Sequence, residues 1–146
     1  MYTIGQISEM FHIPISTLRY YDREGLFPDI KRNSGIRKFT ENEIERLHII
    51  ECLKMSGLEI KDIRQFMQWC SEGSRTYSKR YDLFLRQKEV VVVELEHLKR
   101  TLDMINYKCW YYEQAMKDGN EERLQKMIPD KLPEEIQKLY DHAHEK

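Results

Sequence analysis

From Tyr77 to Asp118 the chain runs without a glycine or a proline, and its apolar residues fall at heptad spacing. Tyr77, Phe84, Val91, Leu98, Ile105 and Tyr112 form one series. Tyr81, Lys88, Leu95, Leu102, Cys109 and Met116, four residues on, form the second. Eleven of these twelve are uncharged, Lys88 being the exception. At ~1.5 Å per residue the stretch makes a rod of roughly 60 Å. An apolar stripe of that length needs a partner helix, and a homodimeric coiled coil over residues 76–118 supplies one. Phe84, Val91, Leu95, Leu98, Leu102, Ile105, Cys109 and Tyr112 are the expected dimerisation residues. The competing arrangement folds residues 119–146 back along the stripe, which they are too few to cover. Pro129 and Pro133 divide that segment, which reads as a short helix with a frayed end, too small for a ligand-binding domain.

The residues before the rod are organised on a shorter scale. Thr3 followed by Gln6 is a capping-box pattern, in which each side chain satisfies the other's orphan backbone donor. Ile4, Ile7 and Phe11 give the helix so opened one apolar face. Pro14 suits the first turn of a second helix, because its missing N–H costs nothing there. Ile15 and Leu18 are expected to face inward, and Gly25 ends the helix. Two helices joined by so short a turn read as helix-turn-helix. Pro28 and "NSG" then predict a small hairpin. Thr40 and Glu43 form a second capping box opening a helix over 41–55, and a fourth is predicted over 59–71 with Ile60, Ile63, Phe66 and Met67 inward. The expected fold is mainly α, with a helix-turn-helix domain over 1–72 that includes the helix pair 41–71.

With 24 basic and 25 acidic residues in 146 the net charge is −1, so local clusters must decide whether a polyanion binds. No apolar run approaches the ~20 residues of a membrane span. The start, "MYTIGQISEM", lacks the layout of a signal peptide, giving the expectation of a cytoplasmic protein without a membrane partner. Cys52, Cys70 and Cys109 are three widely spaced thiols, which fits a reducing compartment rather than a disulfide framework. No pair has zinc-finger spacing, and no catalytic metal motif, phosphate-binding glycine loop or nucleophile elbow is present. The expectation is a non-enzyme without cofactor or metal.

One local cluster stands out in "STLRYYDREGL", residues 16–26. With Ile15 and Leu18 inward, Ser16, Thr17, Arg19 and Tyr20 turn largely outward and Tyr21 partly returns toward Leu18. Hydroxyls, a guanidinium and a phenol on one outward face suit phosphate oxygens and base edges. The plainer alternative has the tyrosines packing at the surface while Arg19 pairs with Asp22 or Arg23 with Glu24. "KRNSGIRK", residues 31–38, carries four positive charges around a turn. Directly after two reading helices it has the character of a wing lying along the DNA backbone. The candidate DNA contacts are thus Thr3, Ser16, Thr17, Arg19, Tyr20, Tyr21, Lys31, Arg32, Arg37 and Lys38.

These segments together, "YTIGQISEMFHIPISTLRYYDREGLFP", "RNSGIRKFTENEIERL" and "LKMSGLEIKDIRQF", resemble the N-terminal signature of the MerR family of bacterial transcription regulators across residues 2 to about 70. The resemblance implies a winged helix-turn-helix dimer, joined through an antiparallel coiled coil, on double-stranded promoter DNA. It implies control of RNA polymerase by bending and underwinding an overlong promoter spacer. The family's helix contacts map onto Thr17, Arg19 and Tyr20, and its wing contacts onto Arg37 and nearby basic residues. Two departures are Ile36, where a tyrosine is frequent, and Glu59, where a serine cap is common. The cysteine pair of metal-sensing members, past the dimer helix, is absent. "IIECLKMSGL" resembles the thiol-based, aldehyde-responsive subgroup, which implies a stress-response role with Cys52 as sensor. His48 lies one helical turn earlier and, if protonated, would favour the thiolate. Against this stands Cys52 as a small apolar core filler. Two other classes compete: an architectural, excisionase-like DNA-bending protein without a sensor, and a coiled-coil interaction protein whose N-terminal domain binds protein.

Overall fold

The computed structural model describes residues 1–145. The chain divides into two compact units, Met1–Gln87 and Lys88–Lys146. The first holds α1 (Ile4–Phe11), α2 (Ile15–Arg23), the strands β1 (Lys31–Asn33) and β2 (Ile36–Lys38), α3 (Glu41–Met55) and α4 (Ile60–Glu72). A 3-10 turn, Gly73–Thr76, leads into α5 (Tyr77–Asp118), a single helix of 42 residues. The second unit adds α6 (Glu122–Met127) and α7 (Glu134–Ala143).

Both expected capping boxes form. Gln6 N–H donates to Thr3 Oγ1 at 3.2 Å while Thr3 N–H donates to Gln6 Oε1 at 2.8 Å. Thr40 N–H donates to Glu43 Oε2 at 2.8 Å, which gives the buried Glu43 carboxylate its partner. The hairpin turns at Ser34 and Gly35, both at positive φ (52° and 80°), the geometry whose twist matches the flanking strands. Strand register pairs Lys31 with Lys38 and Arg32 with Arg37. Phe39 and Tyr2 exchange two backbone hydrogen bonds of 2.8 Å, tying the end of the hairpin to the chain start. The turn after α3 passes through Gly57 (φ 87°), where an added Cβ would also lie 2.8 Å from Gln87 Nε2.

The core of the first unit gathers Ile7, Leu18, Tyr21, Leu26, Phe27, Phe39, Leu47, Ile50 and Ile63, all essentially buried. Two expectations are corrected here. Ile15 is 37% exposed; Leu18 and Tyr21, three residues apart, are the inward pair of α2. The first unit also runs past residue 72 to Gln87, because Leu83 joins its core and Phe84 stacks edge-on against Phe66 at 5.4 Å.

In the second unit the segment after α5 is helical and packed through α7, with two helices where one was expected; the chain end at Lys146, where fraying was expected, lies outside the described residues. Tyr107 and Tyr111 of α5 are buried with Leu124 and Leu132, and Met104, Ile136, Leu139 and Tyr140 close around them. The Tyr107 and Tyr140 rings meet edge to face at 5.2 Å. Tyr111 donates to Glu121 at 2.7 Å, a bond that pushes its phenol up to about 12. The fold-back therefore exists, but it covers the tyrosine side of α5. Leu98, Leu102 and Ile105, from the heptad series, stay 53–63% exposed.

Candidate nucleic-acid interface

α2 presents its expected outward face. Ser16, Arg19 and Tyr20 are exposed and Thr17 is half-buried. Neither Arg19 nor Arg23 forms an ion pair among the described residues; Asp22 is taken by Arg32 and Arg37, and Glu24 by Arg64 at 3.3 Å. The pairings of the plainer alternative are thus absent, and Arg19 keeps its donors for another acceptor.

Tyr21 is a correction to the candidate contacts. It is 1% exposed, donates its hydroxyl proton to Glu51 Oε1 at 2.9 Å and accepts from Lys54 Nζ at 2.9 Å. Burial raises its pKa. An aromatic three residues beyond Leu18 shares its face, so this phenol braces α2 against α3. Thr3 remains exposed, with its hydroxyl engaged in capping α1.

The wing places Lys31 and Arg32 exposed, with Arg37 and Lys38 half-buried. Arg37 Nε donates to Asp22 Oδ2 at 2.7 Å, and Arg32 donates to the same oxygen. Asp22 was legible only as a possible partner of Arg19, and nothing local to its sequence announced two partners from the wing. Ile36, 58% exposed, stands at the wing tip as an apolar residue.

Cys52 is exposed on α3, which removes the core-filler alternative within this chain. His48 is exposed as well, its ring centred 4.8 Å from that of Phe11. Cys70 and Cys109 are also exposed. The expected dimerisation residues Phe84, Val91, Leu95, Leu98, Leu102, Ile105 and Tyr112 are 39–63% exposed, Phe84 least because it meets Phe66. Among the described residues no helix is long and apolar enough to cross a membrane.

Residues 2–69 match the family described as MerR HTH family regulatory protein. The chain is 37% identical over 120 residues, 82% of its own length and 89% of the relative's, to an uncharacterized HTH-type transcriptional regulator of Haemophilus influenzae. It is 33% identical over 90 residues, 61% of its length and 64% of the relative's, to the HTH-type transcriptional regulator AdhR of Bacillus subtilis. Among solved structures it is similar to HiNmlR, described as a MerR family regulator lacking the sensor domain, bound to promoter DNA. There the TM-score is 0.65 and the identity 36%, over 84% of this chain and 98% of that one.

Proposed function

The chain belongs to the MerR family of helix-turn-helix transcription regulators, and we propose that it acts on promoter DNA as a homodimer. The observation that carries this reading is the pairing of two unsatisfied surfaces. One is the outward face of α2 with the wing, where Thr17, Arg19, Tyr20, Lys31, Arg32, Arg37 and Lys38 offer donors without matching acids outside Asp22. The other is the bare heptad series of α5, which a second copy would cover as an antiparallel coiled coil. A dimer sets two reading helices at fixed spacing, so its operator mirrors the two-fold axis. Distortion of the spacer between them would bring promoter elements into register for RNA polymerase.

The same proposal places the signal within the first unit. The likeness to a regulator described as lacking the sensor domain supports a sensor inside the shared fold. Cys52, exposed on α3, is the proposed target of an electrophile such as an aldehyde. The thiolate would add to the carbonyl carbon, and the carbonyl oxygen would take up a proton to give a hemithioacetal. Transcription in vitro from the cognate promoter, with and without aldehyde, tests this on wild type and Cys52→Ser. The expected outcome is a response lost in the variant with DNA binding intact; an unchanged response removes Cys52 from sensing.

A further inference from the structure

Asp22 occupies an unfavourable place. It lies in the last turn of α2, where the partial negative charge of a helix C-terminus disfavours an acid. Yet its side chain is only 8% exposed. The wing has a matching problem, because Arg32 and Arg37 are direct cross-strand partners and like charges opposite one another destabilise a hairpin. One carboxylate oxygen resolves both. Arg37 Nε and an Nη nitrogen of Arg32 donate to Asp22 Oδ2. The Arg32 and Arg37 side chains stay 43% and 20% exposed. Arg37 gives Asp22 its Nε, so its terminal nitrogens remain for other acceptors, in an orientation referred directly to α2.

We propose that Asp22 is a positioning residue for DNA recognition. Its carboxylate sets the wing arginines at a fixed offset from Thr17, Arg19 and Tyr20, so that helix and wing engage one duplex only at a defined separation. It also cancels one of two neighbouring positive charges, which lowers sequence-independent attraction to phosphate. Asp22 thereby raises specificity from both sides, by aligning the matched contacts and weakening the unmatched ones. This rests on the wing contacting DNA, as proposed above.

The test uses a duplex selected by the wild-type protein from a random-sequence pool and a scrambled duplex of equal length, each titrated at several salt concentrations. Asp22→Asn keeps the shape of the side chain and removes its charge. It should bind the selected duplex about tenfold more weakly, the loss of roughly one well-aligned contact. It should bind the scrambled duplex as tightly as wild type or more so, with a steeper salt dependence. Asp22→Glu keeps the charge and lengthens the arm, and should lose affinity only for the selected duplex. In an Arg32→Gln/Arg37→Gln background Asp22→Asn should change little. Equal losses on both duplexes, or an undiminished loss in that background, would show mere structural support and overturn the proposal. If Arg32→Gln/Arg37→Gln alone binds the selected duplex like wild type, the wing reading fails, and this proposal with it.

Discussion

The first unit closes its core from its own elements, whereas the second leaves a long apolar series uncovered. Leu18, Phe39, Leu47, Ile50 and Ile63 of the first are fully buried, and where α2 and the wing meet solvent its exposed face is polar and basic apart from Ile15 and Ile36. In the second, Tyr107 and Leu124 are buried while Leu98, Leu102 and Ile105 of the same unit are more than half exposed. Burying one such leucine contributes about 1.5–3 kcal/mol. The contrast teaches that stability is internal to the first unit, while α5 carries an exposed apolar series, the surface the proposed dimer would bury.

The largest expected effect comes from placing charges on the bare series. Leu98→Glu/Leu102→Glu should abolish the dimer, since carboxylates buried without partners cost several kcal/mol. Sedimentation should give monomers, and operator binding should fall with them, while the first unit keeps its circular dichroism. A variant that stays dimeric would move the interface elsewhere. Next comes the opposite manipulation, Leu47→Ala in the closed core. It should lower the stability of the first unit by about 2–5 kcal/mol, read as an unfolding midpoint shift in a dissected or locally probed first unit that does not depend on protein concentration.

Arg19→Ala leaves both cores intact and should cost roughly 1–3 kcal/mol of operator affinity, with little change in melting temperature. The smallest effect concerns α7, which His142 pins to α5. Its Nε2 meets Glu96 Oε1 at 2.8 Å, and its Nδ1 meets Asp103. These contacts, Glu96 first, raise the His142 pKa above its ordinary value. A raised folded-state pKa contributes stability that is full below the unfolded value of about 6.5 and fades as pH rises through the folded one. Wild type should therefore exceed His142→Gln in stability at pH 6, with the gap closing towards pH 9. A gap that widens with pH would reverse the assigned sign.

Much of this architecture was legible in residue order. Thr3 with Gln6 and Thr40 with Glu43 announced two helix starts, because a capping box is closed within four residues. The span of α3 could be read to its ends, and so could the hairpin around "NSG". The candidate face of α2 was legible in Ser16, Thr17, Arg19 and Tyr20 because helical spacing orders a surface by itself. Tyr21 was read as partly returning toward Leu18 yet counted among the DNA contacts; its full burial depends on α3 supplying Glu51 and Lys54 for the hydroxyl, some thirty residues away.

The sequence by itself determined where helices start and stop, which stretch makes a long heptad-patterned rod, and which family's signature the first half carries. These rest on local backbone chemistry and on periodicity, both written in neighbouring residues. Tertiary structure alone decided that Asp22 holds two arginines of the wing and that α6 and α7 cover the tyrosine side of α5. It alone put Cys52 at the surface. Each of these depends on which distant elements converge, and convergence is set by the packing of the whole unit rather than by any segment within it.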